Sequence, residues 1–101
     1  MKLQAQVALI TGGSRGIGRA TALAFAREGA DIAFCHLDDG AHADRTVADI
    51  TALGRRAMHR SFDVSDIAAG KAFAAEAEAQ LGPIDILFNN CLLYTSDAAD
   101  E

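Results

Sequence analysis

Apolar residues along this chain come in two alternating textures: short unbroken runs, and longer stretches with a helical beat. Val7-Ala8-Leu9-Ile10 is an unbroken run and predicts a strand buried on both faces. A glycine-rich turn follows, then a helical stretch from about Ile17 to Glu28. In it Ile17, Ala20 and Ala24 recur at helical spacing, and Gly29 stands where a C-cap glycine belongs. Ile32-Ala33-Phe34-Cys35 predicts a second strand. Ala43, Val47, Ile50 and Leu53 line one face of a second helix, which Gly54 stops. Ala57 to Phe62 predicts a third strand, with His59 and Ser61 interleaved as an edge strand tolerates. Ser65 or Asp66 can cap a third helix with Ile67, Ala74, Ala77 and Leu81 on its buried face, ended by Gly82-Pro83. Ile84 to Phe88 predicts a fourth strand.

Strands alternating with helices of this length imply right-handed crossovers and a parallel sheet. The predicted class is α/β, a Rossmann-type doubly wound sheet running β-α-β-α-β-α-β in spatial order 3-2-1-4. That is one half of the six-stranded dinucleotide fold plus the first strand beyond its switch point.

Composition narrows the picture. The chain has 101 residues, 50% hydrophobic and 23% charged, with a net charge of −5. That length allows one domain. The acidic balance argues against a nucleic-acid surface. No run of 18 apolar residues is present, so no membrane-spanning helix is expected, and no secretory signal is visible. Cys35 and Cys91 fit neither a metal spacing nor a disulfide scaffold; Cys35 reads as a small core residue. The expected location is cytoplasmic.

The texture changes at Cys91. From there the chain reads Cys-Leu-Leu-Tyr-Thr-Ser-Asp-Ala-Ala-Asp-Glu, which resembles the read-through translation of a transposase-type sequencing adaptor. Residues 1–90 are therefore expected to be the native part, and residues 91–101 a non-native tail set aside from fold reasoning. Asp97, Asp100 and Glu101 lie in that tail, which leaves eleven acidic against nine basic residues and a net charge of −2. A mechanism built on Cys91, Tyr94 or Ser96 would rest on the tail.

The candidate chemistry sits in the first turn, Thr11-Gly12-Gly13-Ser14-Arg15-Gly16-Ile17-Gly18. Such a turn needs backbone angles that side chains forbid, lets a diphosphate approach the backbone, and lets the following helix pack tightly. Backbone N–H groups and the dipole at that helix's start favour the phosphate charge. The turn follows a predicted strand and opens a predicted helix, the context this motif requires. The absence of a following Gly-Lys-Ser/Thr excludes a P-loop.

The spacing Gly-x-x-x-Gly-x-Gly resembles the short-chain dehydrogenase/reductase family. Asp63-Val64 stands where that family holds adenine, and Asn89-Asn90 stands where it has Asn-Asn-Ala-Gly, with Cys91-Leu92 in place of Ala-Gly. The resemblance covers residues 1–90. It implies that Gly12, Ser14, Arg15, Gly16, Ile17 and Gly18 line the phosphate side of a nicotinamide dinucleotide. It further implies that Asp63 and Val64 hold adenine, that Asn90 contacts the ribose through its backbone, and that Asn89 braces the sheet.

His36 falls where an acidic residue would bind an NAD ribose. With no acid there and Arg15 in the loop, NADP is the expected cofactor, with NAD the alternative; Asp38 and Asp39 are near enough to reverse the choice. His42 and His59 read as ordinary surface or edge residues. The implied activity is hydride transfer between NAD(P)H and an alcohol/carbonyl pair, in a homo-oligomer. The family's catalytic serine and Tyr-x-x-x-Lys are not in this chain: Tyr94 has no lysine four residues on, and the lysines are Lys2 and Lys71. No catalytic residue and no metal is assigned, and the chain alone is expected to be inactive. The rivals are a non-catalytic nucleotide-binding or sensing module and an extended-branch epimerase or dehydratase, against which Asn89-Asn90 speaks.

Overall fold

The structure, a computed structural model, describes residues 2–90. Seven elements alternate: β1 (Val7–Thr11), α1 (Gly16–Arg27), β2 (Asp31–His36), α2 (Gly40–Ala52), β3 (Ala57–Ser61), α3 (Ile67–Leu81) and β4 (Ile86–Asn89). The four strands form one parallel sheet in the order β3-β2-β1-β4, as the sequence predicts.

The unbroken apolar runs are explained by layers on both faces of the sheet. Ala8, Ile10, Ile32 and Phe34 point into a core shared with Ala22 and Ala26 of α1 and Ala43 and Ile50 of α2. The alternate residues Leu9, Ala33 and Cys35 point to the other face, against Met58 and against Phe73 and Ala77 of α3. A strand with period 2 therefore has no polar side to show. β3 lies at the edge and its burial fades toward its end.

All three helix faces differ from the expectation; in α2 Ala43 and Ile50 are buried, but Leu53 lies just past the helix end and is 41% exposed. The buried stripe of α1 is Gly18, Ala22 and Ala26, while Ile17, Ala20 and Ala24 are exposed. In α3 the anchors are Phe73 and Ala77; Ala74 and Leu81 are half-buried, and Ile67 is 72% exposed. Helices α1 and α3 carry small apolar residues on several sides, so periodicity alone does not choose the face. Packing chooses it: at Gly18, and where Phe73 meets Phe62 with ring centroids 5.6 Å apart. Asp66, not Ser65, caps α3, its carboxylate accepting from the Ala69 N–H at 3.0 Å.

β4 begins two residues later than expected. Asp85 precedes it and pins the start of β1: its carboxylate accepts from the Val7 N–H at 2.9 Å, and its own N–H donates to the Val7 carbonyl at 2.9 Å. At the same end of the sheet the Asp31 carboxylate accepts five N–H bonds, from the Arg55 side chain and from the Arg56 backbone and side chain. Arg56 also donates to the carbonyls of Gln80 and Leu81, tying β2, β3 and the end of α3 together. This leaves the opposite end, where β1 and β2 finish, for the glycine turn.

Candidate functional site

The turn between β1 and α1 is anchored by β2: the N–H groups of Gly12 and Gly13 both donate to the Cys35 carbonyl, at 2.9 and 3.2 Å. Its glycines serve different ends. Gly16 has φ +64 and open space where a Cβ would stand, so backbone there is accessible to an incoming group. A Cβ at Gly18 would lie 1.9 Å from the Gly12 carbonyl oxygen, so the helix can start this close only without a side chain. Arg15, the N-cap of α1, makes no side-chain cap bond. The first-turn N–H groups are therefore not capped from within, and they suit an anion arriving at the dipole's positive end. A cradle of this shape, open above Gly16 and closed below at Gly18, fits a dinucleotide diphosphate.

The turn is welded to α2. Ser14 is buried, and its hydroxyl donates to the Asp39 carboxylate at 2.7 Å. Thr46 of α2, fully buried, places its hydroxyl 2.9 Å from the Ser14 carbonyl and accepts from Arg19 Nη1 at 3.0 Å, while Arg19 also pairs with Asp49. Asp39 further meets Arg15 Nε at 3.4 Å and accepts from His42 Nδ1–H at 2.7 Å. The Ser14 hydroxyl above all, then His42, hold its carboxyl below the ordinary 3.8. Arg15 and Ile17 stay exposed, 71% for the Arg15 side chain.

His36 is placed at the end of β2 as expected but is buried, and both its ring nitrogens are engaged. Nδ1 accepts from the Asp39 N–H at 3.1 Å. The ring must then carry its proton on Nε2, which donates to His59 Nδ1 at 2.9 Å. His59 is consequently protonated on Nε2, which donates to the Asp44 carboxylate at 3.0 Å. The chain of bonds has one direction and requires a neutral His36. Burial, then the neighbouring His59, lowers the His36 pKa from its ordinary 6.5. The His59 ring also stacks on Phe34, centroids 5.6 Å apart. His42 is on the surface and His59 on the edge strand, as expected, and both are tied by hydrogen bonds into this end of the sheet. Their partners lie 3 and 15 to 23 positions away, and only the strand register and the α2 start bring them together.

The remaining candidates lie at the same end of the sheet. Asp63 forms a local turn, its Oδ1 accepting from the N–H and hydroxyl of Ser65 at 2.9 and 2.8 Å. The Ser65 backbone bond first, then its hydroxyl, lowers the Asp63 pKa. Val64 is 46% exposed beside an apolar cleft of about 490 Å³ that Leu9, Phe62, Phe73, Leu87 and Asn89 also line. Asn89 Oδ1 accepts from the Thr11 hydroxyl at 2.8 Å, joining the ends of β4 and β1. Asn90 follows as a half-buried turn residue. Cys91, Tyr94 and Ser96 lie outside the described residues. Among the described residues no cluster could hold a metal ion, and no helix is long and apolar enough to cross a membrane.

A parallel sheet in this order with a glycine cradle at the β1 end defines a Rossmann-type nucleotide-binding unit. The family model for short chain dehydrogenase matches residues 6–100. An L-rhamnose 1-dehydrogenase (NAD(P)(+)) of Sphingomonas is 39% identical over 88 residues, 87% of this chain and 35% of that protein. Two solved structures superpose well. A short chain dehydrogenase from Burkholderia cenocepacia in complex with NADP has TM-score 0.84 and 41% identity, over 86% of this chain and 36% of that one. One from Mycobacterium paratuberculosis bound to NAD has TM-score 0.81 and 32% identity, over the same shares, 86% and 36%. The chain belongs to the short-chain dehydrogenase family. It spans about a third of the length of these relatives, 35–36%.

Proposed function

We propose that this chain is the NAD(P)-binding part of an oxidoreductase that transfers hydride between a nicotinamide dinucleotide and an alcohol/carbonyl substrate, with NADP preferred. The observation that carries the reading is the Gly12–Gly18 turn, open at Gly16, closed at Gly18 and without a side-chain cap at the start of α1. The dinucleotide, when bound, supplies the hydride chemistry. The chain's own residues bind and orient it: the turn takes the diphosphate, Asp63 and Val64 the adenine, and the Asn90 backbone the ribose. Relatives whose names or structures carry NAD, NADP or NAD(P)(+) support the cofactor class. The preference for NADP is supported by a neutral His36 where an NAD-binding carboxylate would stand, and by an exposed Arg15 guanidinium suited to a phosphate.

The chain holds no Tyr-x-x-x-Lys, so residues 1–101 by themselves are proposed to be inactive. The intact protein is proposed to be a cytoplasmic homo-oligomer acting on a small molecule. The test is oxidation of NADPH by the intact gene product against a panel of aldehydes and ketones. Turnover above a matched blank supports the reading; saturable cofactor binding with no turnover on any of them favours the non-catalytic nucleotide-binding module. We propose also that residues 91–101 are adaptor-derived. Re-amplification of the locus is expected to give Ala-Gly after Asn90 and a continuing reading frame. Recovery of the same Cys-Leu-Leu-Tyr-Thr-Ser string from uncut genomic DNA overturns that proposal.

A further inference from the structure

We propose that Thr46 of α2 is a positioning residue for the dinucleotide cradle: its hydroxyl, backed by Arg19, fixes the Ser14–Arg15 peptide so that the Arg15 N–H faces the incoming cofactor. The inference rests on the dinucleotide reading above and adds to it a residue outside the glycine turn.

β2 holds the turn as far as Gly13. The Cys35 carbonyl takes the Gly12 and Gly13 N–H groups, and Phe34 Cβ lies 2.5 Å from where a Gly13 Cβ would stand. Past Gly13 the turn leans on α2. The Ser14 hydroxyl donates to Asp39 at 2.7 Å, and the Ser14 carbonyl accepts from the Thr46 hydroxyl at 2.9 Å. A trans peptide sets its carbonyl and its N–H on opposite sides, and among the described residues no peptide bond is cis. With the Ser14 carbonyl drawn onto α2, the Arg15 N–H points away from Thr46. It stands at the N-cap of α1, next to the open space at Gly16.

Thr46 departs from the pattern of its own helix. The buried stripe of α2 is Ala43, Thr46 and Ile50, and an apolar residue of the same size would fill the middle position with no polar atom to satisfy. Thr46 is fully buried, and its hydroxyl meets three partners. It accepts from Arg19 Nη1 at 3.0 Å, and its one proton lies between the Ser14 carbonyl and the His42 carbonyl of its own helix, the latter at 3.0 Å. A helical threonine commonly gives that proton to the carbonyl four residues back. Here the Arg19 guanidinium, itself paired with Asp49, polarises the hydroxyl and strengthens it as a donor. One oxygen thus joins α1, α2 and the turn.

Titration of the intact protein with NADPH and with NADH, run beside thermal melts, tests the role. Thr46→Val keeps the size and loses the hydroxyl; it is expected to weaken both cofactors alike, by about fivefold or more. Thr46→Ser keeps the hydroxyl and is expected to stay within about twofold of the wild type. Ile50→Val, on the same stripe, removes a buried methyl group; it should lower the melting temperature and leave both affinities within about twofold. Arg19→Met, at a part-exposed position, withdraws the support without entering the turn and should weaken both cofactors by about threefold. The proposal is overturned if folded Thr46→Val binds both cofactors as the wild type does, if Thr46→Ser binds as weakly as Thr46→Val, or if Ile50→Val loses as much affinity. If Thr46→Val does not fold, Arg19→Met decides, and unchanged affinity there overturns the proposal. In each of these cases the dinucleotide reading stands. Wild-type protein that binds neither cofactor defeats that reading, and this inference with it.

Discussion

Nε2 of His36 lies 2.9 Å from Nδ1 of His59, and the Asp39 N–H on one side and the Asp44 carboxylate on the other fix which ring donates. An added proton on His36 has to break one of these bonds. The His36 pKa is lowered from 6.5 by burial and by His59, so the unfolded chain takes up the proton first. Stability is therefore full above 6.5 and is lost as the pH falls below that value. Melting temperatures measured between about pH 8 and about pH 5 should fall on the acid side, and His36→Asn should flatten that part of the curve. An identical slope in the variant would show that the ring pair carries no pH dependence.

Gly16 and Gly18 separate binding from folding. Gly18→Ala drives a Cβ to 1.9 Å from the Gly12 carbonyl oxygen, and backbone cannot step aside cheaply. It should cost about 3 kcal/mol or more. Gly16→Ala meets no atom within 4 Å but holds φ +64, a strain of about 1 kcal/mol. Denaturant melts should thus show Gly16→Ala folded and Gly18→Ala severely destabilised; equal losses would mean that the close approach at Gly18 is not real.

Asp31 should be a stability residue with no part in binding. It sits at the far end of the sheet, its side chain 5% exposed, beneath Arg55 and Arg56. Burial alone would raise its pKa, but the bonds from Arg56 and the charges of both arginines outweigh it, and the value is lowered from 3.8. Its stabilisation is present above that value and lost as the pH falls through the lowered one. Asp31→Asn should cost about 1–3 kcal/mol at neutral pH, as expected for lost charge-assisted bonds. It should also weaken the acid sensitivity of unfolding below 3.8. Cofactor affinity of the folded variant should not move.

Arg15→Ala should weaken NADPH more than NADH, because only NADPH carries a 2′-phosphate for the guanidinium to meet. His36→Asp should shift preference toward NADH by adding a carboxylate at the end of β2. Titration of both cofactors decides it; equal losses in Arg15→Ala would remove Arg15 from the phosphate contacts.

Strand positions were legible because the sheet is covered on both faces, which makes Val7–Ile10 and Ile32–Cys35 apolar throughout. The helix ends were legible because Gly29, Gly54 and Gly82 all adopt positive φ. The packing face of α1 was not, since Ile17, Ala20 and Ala24 mimic a buried stripe in a helix rich in small residues. The deciding fact there is a contact between Gly18 and Gly12 that no spacing displays. The Ser14–Asp39–His42 and His36–His59–Asp44 bonds were invisible for a related reason. They join a turn, two strand ends and the start of α2, and they exist only once β2 pairs with β3 in register, Phe34 opposite His59.

The most direct test of the account is a fluorescence titration of the folded, intact protein with NADPH and with NADH. Saturable binding of at least one of them in the micromolar range, one site per chain, is the predicted result. No binding of either at millimolar concentration by protein that melts cooperatively would contradict the assignment of the Gly12–Gly18 turn as a dinucleotide cradle.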